Sequence, residues 1–185
     1  EIAKIVLDNL LGEDIEKDKL IDIVKESFNF EIPLVKCSEH IHILELFHGP
    51  TFTFKDVGAR FMSRILKHYF PKGTENFDII VSTSGDTGAA AIDALKGKSN
   101  LNVFVLHPNN KISPVQRRLM TIHEENNVFN IAIEGNFDDC QNLVKAMFND
   151  EKFSKAINMS GVNSINWARI IAQSVYYFYA YFKVG

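Results

Sequence analysis

Phe77-Asp78-Ile79-Ile80-Val81-Ser82-Thr83-Ser84-Gly85-Asp86-Thr87-Gly88-Ala89-Ala90-Ala91-Ile92-Asp93-Ala94-Leu95 reads as a strand over 77–83, a turn of small residues and a helix from Thr87. Asp78-Ile79-Ile80-Val81 lacks a polar face, the pattern of a strand covered on both sides. The alternation continues downstream with a strand over 101–106, a helix from Ser113, a strand over 128–133 and a helix from Phe137. Strands separated by helices imply parallel pairing through right-handed crossovers, so the sequence predicts an α/β fold with three α-β-α layers and a mostly parallel sheet.

Working outward, residues 2–11 and 15–28 carry apolar positions at helical spacing, among them Ile15, Leu20, Ile23, Val24 and Phe28, with Gly12 between the two runs. The chain therefore opens with two helices. Pro33 ends that region, and Ile41-His42-Ile43-Leu44-Glu45-Leu46-Phe47 reads as a strand entering the turn at Gly49-Pro50, with a helix starting near Asp56. At the other end, Ile165 to Phe182 is the most apolar stretch, but Asn166, Arg169, Gln173 and Ser174 interrupt it. It reads as a buried helix and not as a membrane span.

The chain has 185 residues, is 46% hydrophobic and carries a formal net charge of −3, which fits a globular protein with a sizeable core. No dense basic run offers a nucleic-acid footprint, so a bound anion is held locally. Cys37 and Cys140 cannot make a disulfide framework, which points to a reducing, cytoplasmic compartment. His123-Glu124-Glu125-Asn126-Asn127 lacks the second histidine of a zinc-protease helix, and no metal site is indicated. The opening at Glu1, inside an amphipathic pattern, is not expected to be a natural start.

Three segments carry chemistry. In His48-Gly49-Pro50-Thr51-Phe52-Thr53-Phe54-Lys55-Asp56-Val57, a lysine sits beside Phe52, Phe54 and Val57 and ahead of a helix. Burial and a helix N-terminus disfavour the ammonium, which suits a Schiff-base amine; the other reading is a lysine laying its stem on the rings, with Asp56 as a helix cap. Ser84-Gly85-Asp86-Thr87-Gly88 joins strand to helix with small residues and hydroxyls, the outline of a carboxylate or phosphate cradle, or else a plain turn capped by Asp86 or Thr87. It is neither a nucleotide P-loop, lacking the Lys-Ser or Lys-Thr, nor a dinucleotide fingerprint, whose acidic ribose ligand is absent near His107-Pro108. In the third, Asn166, Arg169 and Gln173 fall on one helical face, for a bound anion or for a structural carboxylate. The rings of Tyr176-Tyr177-Phe178-Tyr179-Ala180-Tyr181-Phe182 point all round a helix, which favours core packing or an interdomain contact over base stacking.

Taken in order, Glu45 to Thr51 with Phe54-Lys55-Asp56, Thr83 to Ala90, Pro108 with Lys111-Ile112-Ser113-Pro114, Gly135 to Gln141 and Asn163-Ser164-Ile165-Asn166 resemble the threonine synthase family. The resemblance runs from about residue 40 to residue 182 and implies the pyridoxal-phosphate fold type shared with serine and threonine dehydratases and the tryptophan synthase β subunit. With the helical segment read over 1–40, it further implies an incomplete larger cofactor domain from 41–76 and 151–185 and a smaller α/β domain over 77–150. Lys55 is then the residue that binds pyridoxal 5'-phosphate and moves protons at the substrate carbons, with Ser84, Gly85, Asp86 and Thr87 beside the cofactor and Ser84 to Thr87 on the substrate carboxylate. Lys111, Ser113, Asn163, Ser164, Asn166 and Arg169 are the candidates for the substrate phosphate.

The implied reaction is O-phospho-L-homoserine and water to L-threonine and phosphate, in the cytoplasm, with no membrane or nucleic-acid partner and the oligomeric state left open. A threonine synthase-like phospho-lyase releasing 2-oxobutyrate, and a non-catalytic binding protein on the same scaffold, are the alternatives. A dehydratase fits less well, since such relatives carry Asn where this chain has Asp86. Thr53 replaces the small Ala or Ser of many relatives, and the glycine-rich loop for the cofactor phosphate is expected beyond Gly185, so the chain resembles a piece of an enzyme that is inactive alone.

Overall fold

A computed structural model describes residues 1–70, 76–163 and 165–185. In chain order the elements are α1 (Ile2–Leu11), α2 (Lys17–Ser27), β1 (Leu34–Lys36), β2 (His42–Leu44), α3 (Lys55–Tyr69), β3 (Phe77–Ser82), α4 (Asp86–Leu95) and β4 (Leu101–Pro108). They continue with α5 (Pro114–Thr121), β5 (Val128–Ile133), α6 (Phe137–Asn149), α7 (Glu151–Ala156), β6 (Met159–Gly161) and α8 (Trp167–Val184). Two compact units result: Glu1–Ile65 with Ser164–Gly185, and Leu66–Asn163.

The second unit holds a four-stranded sheet in the order β5-β4-β3-β6, parallel throughout. Period-two alternation divides β3 and β4 between the faces. Ile80 and Leu106 form a cluster with Cys140 of α6 on one face, while buried Val81 and Val105 face the side of α4. The three layers are thus in place, and Ile79, Ile80 and Val81 are buried as a two-sided strand requires.

The first unit is helical. Leu7, Leu20, Val24, Val57, Phe61, Ile171, Ala172 and Val175 form one cluster from α1, α2, α3 and α8. The expected strand over 41–47 is confined to His42–Leu44, which pairs antiparallel with the unforeseen β1. Three-residue strands are too short to leave a periodic signal. The apolar 165–182 segment is buried only in part: Ile171, Ala172, Val175 and Tyr176 are covered, whereas Ile165, Trp167, Tyr177 and Tyr181 are 79, 65, 78 and 73% exposed.

Residues 151–163 belong with the sheet, because β6 hydrogen-bonds to the edge of β3 through Asp78↔Met159 to Ile80↔Gly161. Met159-Ser160-Gly161 has no strand composition, so tertiary pairing alone makes it a strand. Among the described residues no helix is long and apolar enough to cross a membrane.

Candidate active site

Lys55 is the first residue of α3 and is half-buried, its ammonium 5.6 Å from the Phe54 ring centroid. The expected apolar enclosure is only partly there: Val57 is fully buried, but Phe52 and Phe54 are 65 and 44% exposed. What the loop does have is anchorage. Asp56, 1% exposed, accepts from the Thr51 backbone N–H at 2.9 Å and from the Thr51 hydroxyl. It reaches back along the chain to tie the loop, where the sequence suggested an ordinary cap. Tyr176 of α8 donates its hydroxyl to the Phe54 carbonyl at 3.0 Å. Burial, and then the Asp56 charge, push the Tyr176 phenol well above its usual range, so it stays a donor.

The anchoring offsets a local cost. Phe52 has φ of 58°, a left-handed conformation in which a bulky residue is disfavoured by about 1–2 kcal/mol. Asp56, Tyr176 and the Thr53 hydroxyl, which accepts the Lys55 N–H at 3.3 Å, hold the segment in that shape. The amine of Lys55 therefore starts from a fixed backbone.

In the second unit the turn after β3 is built more locally. The Thr83 hydroxyl accepts the N–H groups of Gly85 at 2.9 Å and Gly88 at 3.0 Å, the capping that the plain-turn reading gave to Asp86 or Thr87. Gly85, with φ of 140°, precedes α4 as its N-cap, and a Cβ there would strike the Gln116 side chain. Gln116 Nε2 donates to Asp86 Oδ1 at 2.7 Å. Ser84 is exposed, and Asp86 and Thr87 are half-buried.

The remaining candidates follow the strands or start helices. Lys111 and Ser113, both exposed, follow β4; Asn163, also exposed, follows β6. The turn at Ser84 follows β3, so in this parallel sheet all three segments leave carboxyl ends of strands, the edge where open α/β sheets bind ligands. Ser113 is the N-cap of α5, accepting the Gln116 N–H at 3.2 Å. Asn166 is the N-cap of α8 and accepts the Arg169 N–H at 3.3 Å, so it lies outside the helical stripe in which it was expected. Arg169 is 3% exposed, and desolvation by burial lowers its pKa. Its backbone sits against α3, where a Cβ on Gly58 would lie 3.3 Å from the Arg169 carbonyl. Ser164 lies outside the described residues.

Sequence reasoning missed Thr83, Gln116 and Tyr176 as supports of these segments. For Gln116 a signal existed: Ser113-Pro114-Val115-Gln116 has capping-box spacing with proline at the first helical position. Tyr176 left none, since its partner lies 122 residues away.

No family model matches the chain. A threonine synthase from Pseudomonas aeruginosa is 50% identical over 153 residues, covering 83% of the chain and 33% of that protein. The crystal structure of PLP-bound threonine synthase from Brucella melitensis matches 100% of the chain and 41% of its own, with a TM-score of 0.91 at 46% identity. The chain belongs to the threonine synthase family. Threonine synthase from Escherichia coli agrees, with a TM-score of 0.88 at 41% identity over 96% of the chain and 41% of its own. The α/β expectation and the family resemblance both hold, and the chain spans about a third to two fifths of the length of these relatives.

Proposed function

We propose that the full-length protein is a cytoplasmic threonine synthase that converts O-phospho-L-homoserine and water into L-threonine and phosphate, with pyridoxal 5'-phosphate attached at Lys55. The observation that carries the reading is the lysine itself, half-buried at the start of α3 on a loop tied by Asp56 and Tyr176, in a chain of this family. An aldehyde cofactor needs a primary amine that it can reach and that returns to one place, and Lys55 meets both conditions. The cofactor, when bound, supplies the electron sink that lets protons leave the substrate α and β carbons. Lys55 then has the part of proton carrier at those carbons, for which a fixed backbone and a flexible four-carbon stem are suited.

Ser84 to Thr87, cofactor-side residues with Gly85 and Asp86 among them, hold the substrate carboxylate through the start of α4, where helix N–H groups favour an anion. Lys111 and Arg169 bring positive charge to the substrate phosphate, and Asn163 and Ser164 bring donors. The Asn166 side-chain oxygen already accepts from Arg169, which leaves its amide N–H₂ as the group to meet a phosphate oxygen. The larger cofactor domain is assigned to 41–76 with 151–185 and the smaller α/β domain to 77–150, behind an N-terminal helical segment over 1–40. Two free cysteines, one exposed and one buried, suit a reducing compartment.

The test is to incubate the full-length protein with O-phospho-L-homoserine and separate the products, with borohydride reduction and peptide mapping in parallel. Threonine equal in amount to phosphate, with the pyridoxyl label on Lys55 and both lost in Lys55→Ala, is expected. Mostly 2-oxobutyrate would replace the synthase by a phospho-lyase; a label on another lysine would overturn the role of Lys55.

A further inference from the structure

We propose that Gln116, outside the residues assigned above, is a positioning residue that clasps the carboxylate-binding turn to α5 and sets how tightly that turn holds the substrate. The inference rests on the proposed carboxylate role of Ser84 to Thr87. Its basis is a three-residue relay inside the second unit. Gln116 Nε2 donates to Asp86 Oδ1 at 2.7 Å, the Ser113 hydroxyl donates to Gln116 Oε1 at 2.9 Å, and the Gln116 backbone N–H donates to Ser113 Oγ at 3.2 Å. The amide orientation follows from the partners, because an ionised carboxylate only accepts and therefore takes the N–H₂ end.

Two consequences follow. An acidic side chain inside an anion-binding turn works against its ligand, and the clasp directs the Asp86 carboxylate onto a donor on α5. Gly85 completes the fit, since the space a Cβ would need is filled by the Gln116 side chain. Ser113, by contrast, has its proton committed to Gln116 Oε1 and its oxygen already accepting the Gln116 N–H. A phosphate dianion needs donors, so Ser113 belongs to the clasp and not to the phosphate ligands.

Charge and rescue test the clasp in the full-length enzyme. Gln116→Glu sets two carboxylates against each other; Gln116→Glu with Asp86→Asn restores one amide and one carboxylate in exchanged positions. For Gln116→Glu, the KM for O-phospho-L-homoserine should rise about tenfold or more with kcat changed far less, the size expected for losing a charge-assisted hydrogen bond. In cofactor-free protein, amide hydrogen exchange over residues 84–88 should accelerate by about the same factor. The exchange effect should largely reverse in the double variant, while KM is compared only among variants that keep Asp86. Gln116→Met, which adds no charge, should shift both readouts in the same direction by less and serves if Gln116→Glu does not fold. Unchanged exchange at 84–88, or exchange in the double variant as fast as in Gln116→Glu, overturns the clasp. Accelerated exchange with rescue but an unmoved KM reduces Gln116 to packing and overturns its positioning role. Failure of the proposed reaction shows separately, as loss of threonine formation in the unaltered enzyme.

Discussion

The two segments that carry the proposed chemistry are both tight turns with one residue at positive φ, and they are stabilised in opposite ways. In the turn after β3 that residue is Gly85 at 140°, which needs no compensation, and its first support is Thr83, two residues away. In the loop before Lys55 it is Phe52 at 58°, an exposed aromatic in a conformation that costs free energy. There the supports are a buried carboxylate and a tyrosine hydroxyl from α8. The turn after β3 thus draws its first support from its own neighbours, with Gln116 added from α5, whereas the lysine loop draws a support from α8, 122 residues away.

Asp56→Ala is the largest expected effect and the most direct way to break this contrast. It removes two charge-assisted bonds and leaves the Thr51 N–H and hydroxyl buried, so the full-length protein should lose about 3 kcal/mol in urea unfolding. Borohydride trapping at Lys55 should weaken as well. A loss below about 1 kcal/mol would mean that the loop holds itself, and the two turns would be alike.

The glycine and the phenylalanine can be exchanged for a sharper comparison. Gly85→Ala forces an alanine to φ of 140° and against Gln116, which should destabilise by about 2 kcal/mol and raise the substrate KM. Phe52→Gly, at the other turn, relieves backbone strain while removing a ring that is already 65% exposed, so stability should stay within about 1 kcal/mol of the parent. Equal losses at both positions would refute the assignment of strain to Phe52.

This contrast also explains what the sequence could reveal. The strand and helix around Ser84 to Gly88 were legible because their causes are neighbours: an unbroken apolar run, small turn residues, and alanines behind them. Lys55 was legible as an odd residue in apolar company, but its anchorage was not. Asp56 turns back to Thr51, and Tyr176 belongs to an aromatic run that shows no sign of a partner at Phe54. β6 stayed hidden for the same reason, its three residues becoming a strand only by pairing with β3. Asn166 and Ser113 each cap a helix in the fold, a role that spacing alone did not reveal beside the ligand role proposed for Asn166.

Tyr176→Phe is the smallest expected loss and isolates the long-range half of the lysine loop's support. It deletes one neutral hydrogen bond and leaves the Phe54 carbonyl without that donor, a cost of about 1 kcal/mol at pH 8. The pH dependence identifies the hydroxyl as the cause. An unfolded tyrosine releases its proton near pH 10, whereas burial and the Asp56 charge hold the folded phenol protonated well beyond that. Above about pH 10 the unfolded chain therefore binds fewer protons than the folded one, so stability falls as pH rises. The contribution is full below the unfolded pKa and is lost as pH climbs toward the folded one. Phenylalanine cannot titrate, so urea midpoints of parent and variant should differ at pH 8 and draw together by about pH 10.5. A gap of equal size at both values would show that the phenol is not held as described. With no gap at pH 8, Asp56 would hold the loop alone, and α8 would have no part in placing Lys55.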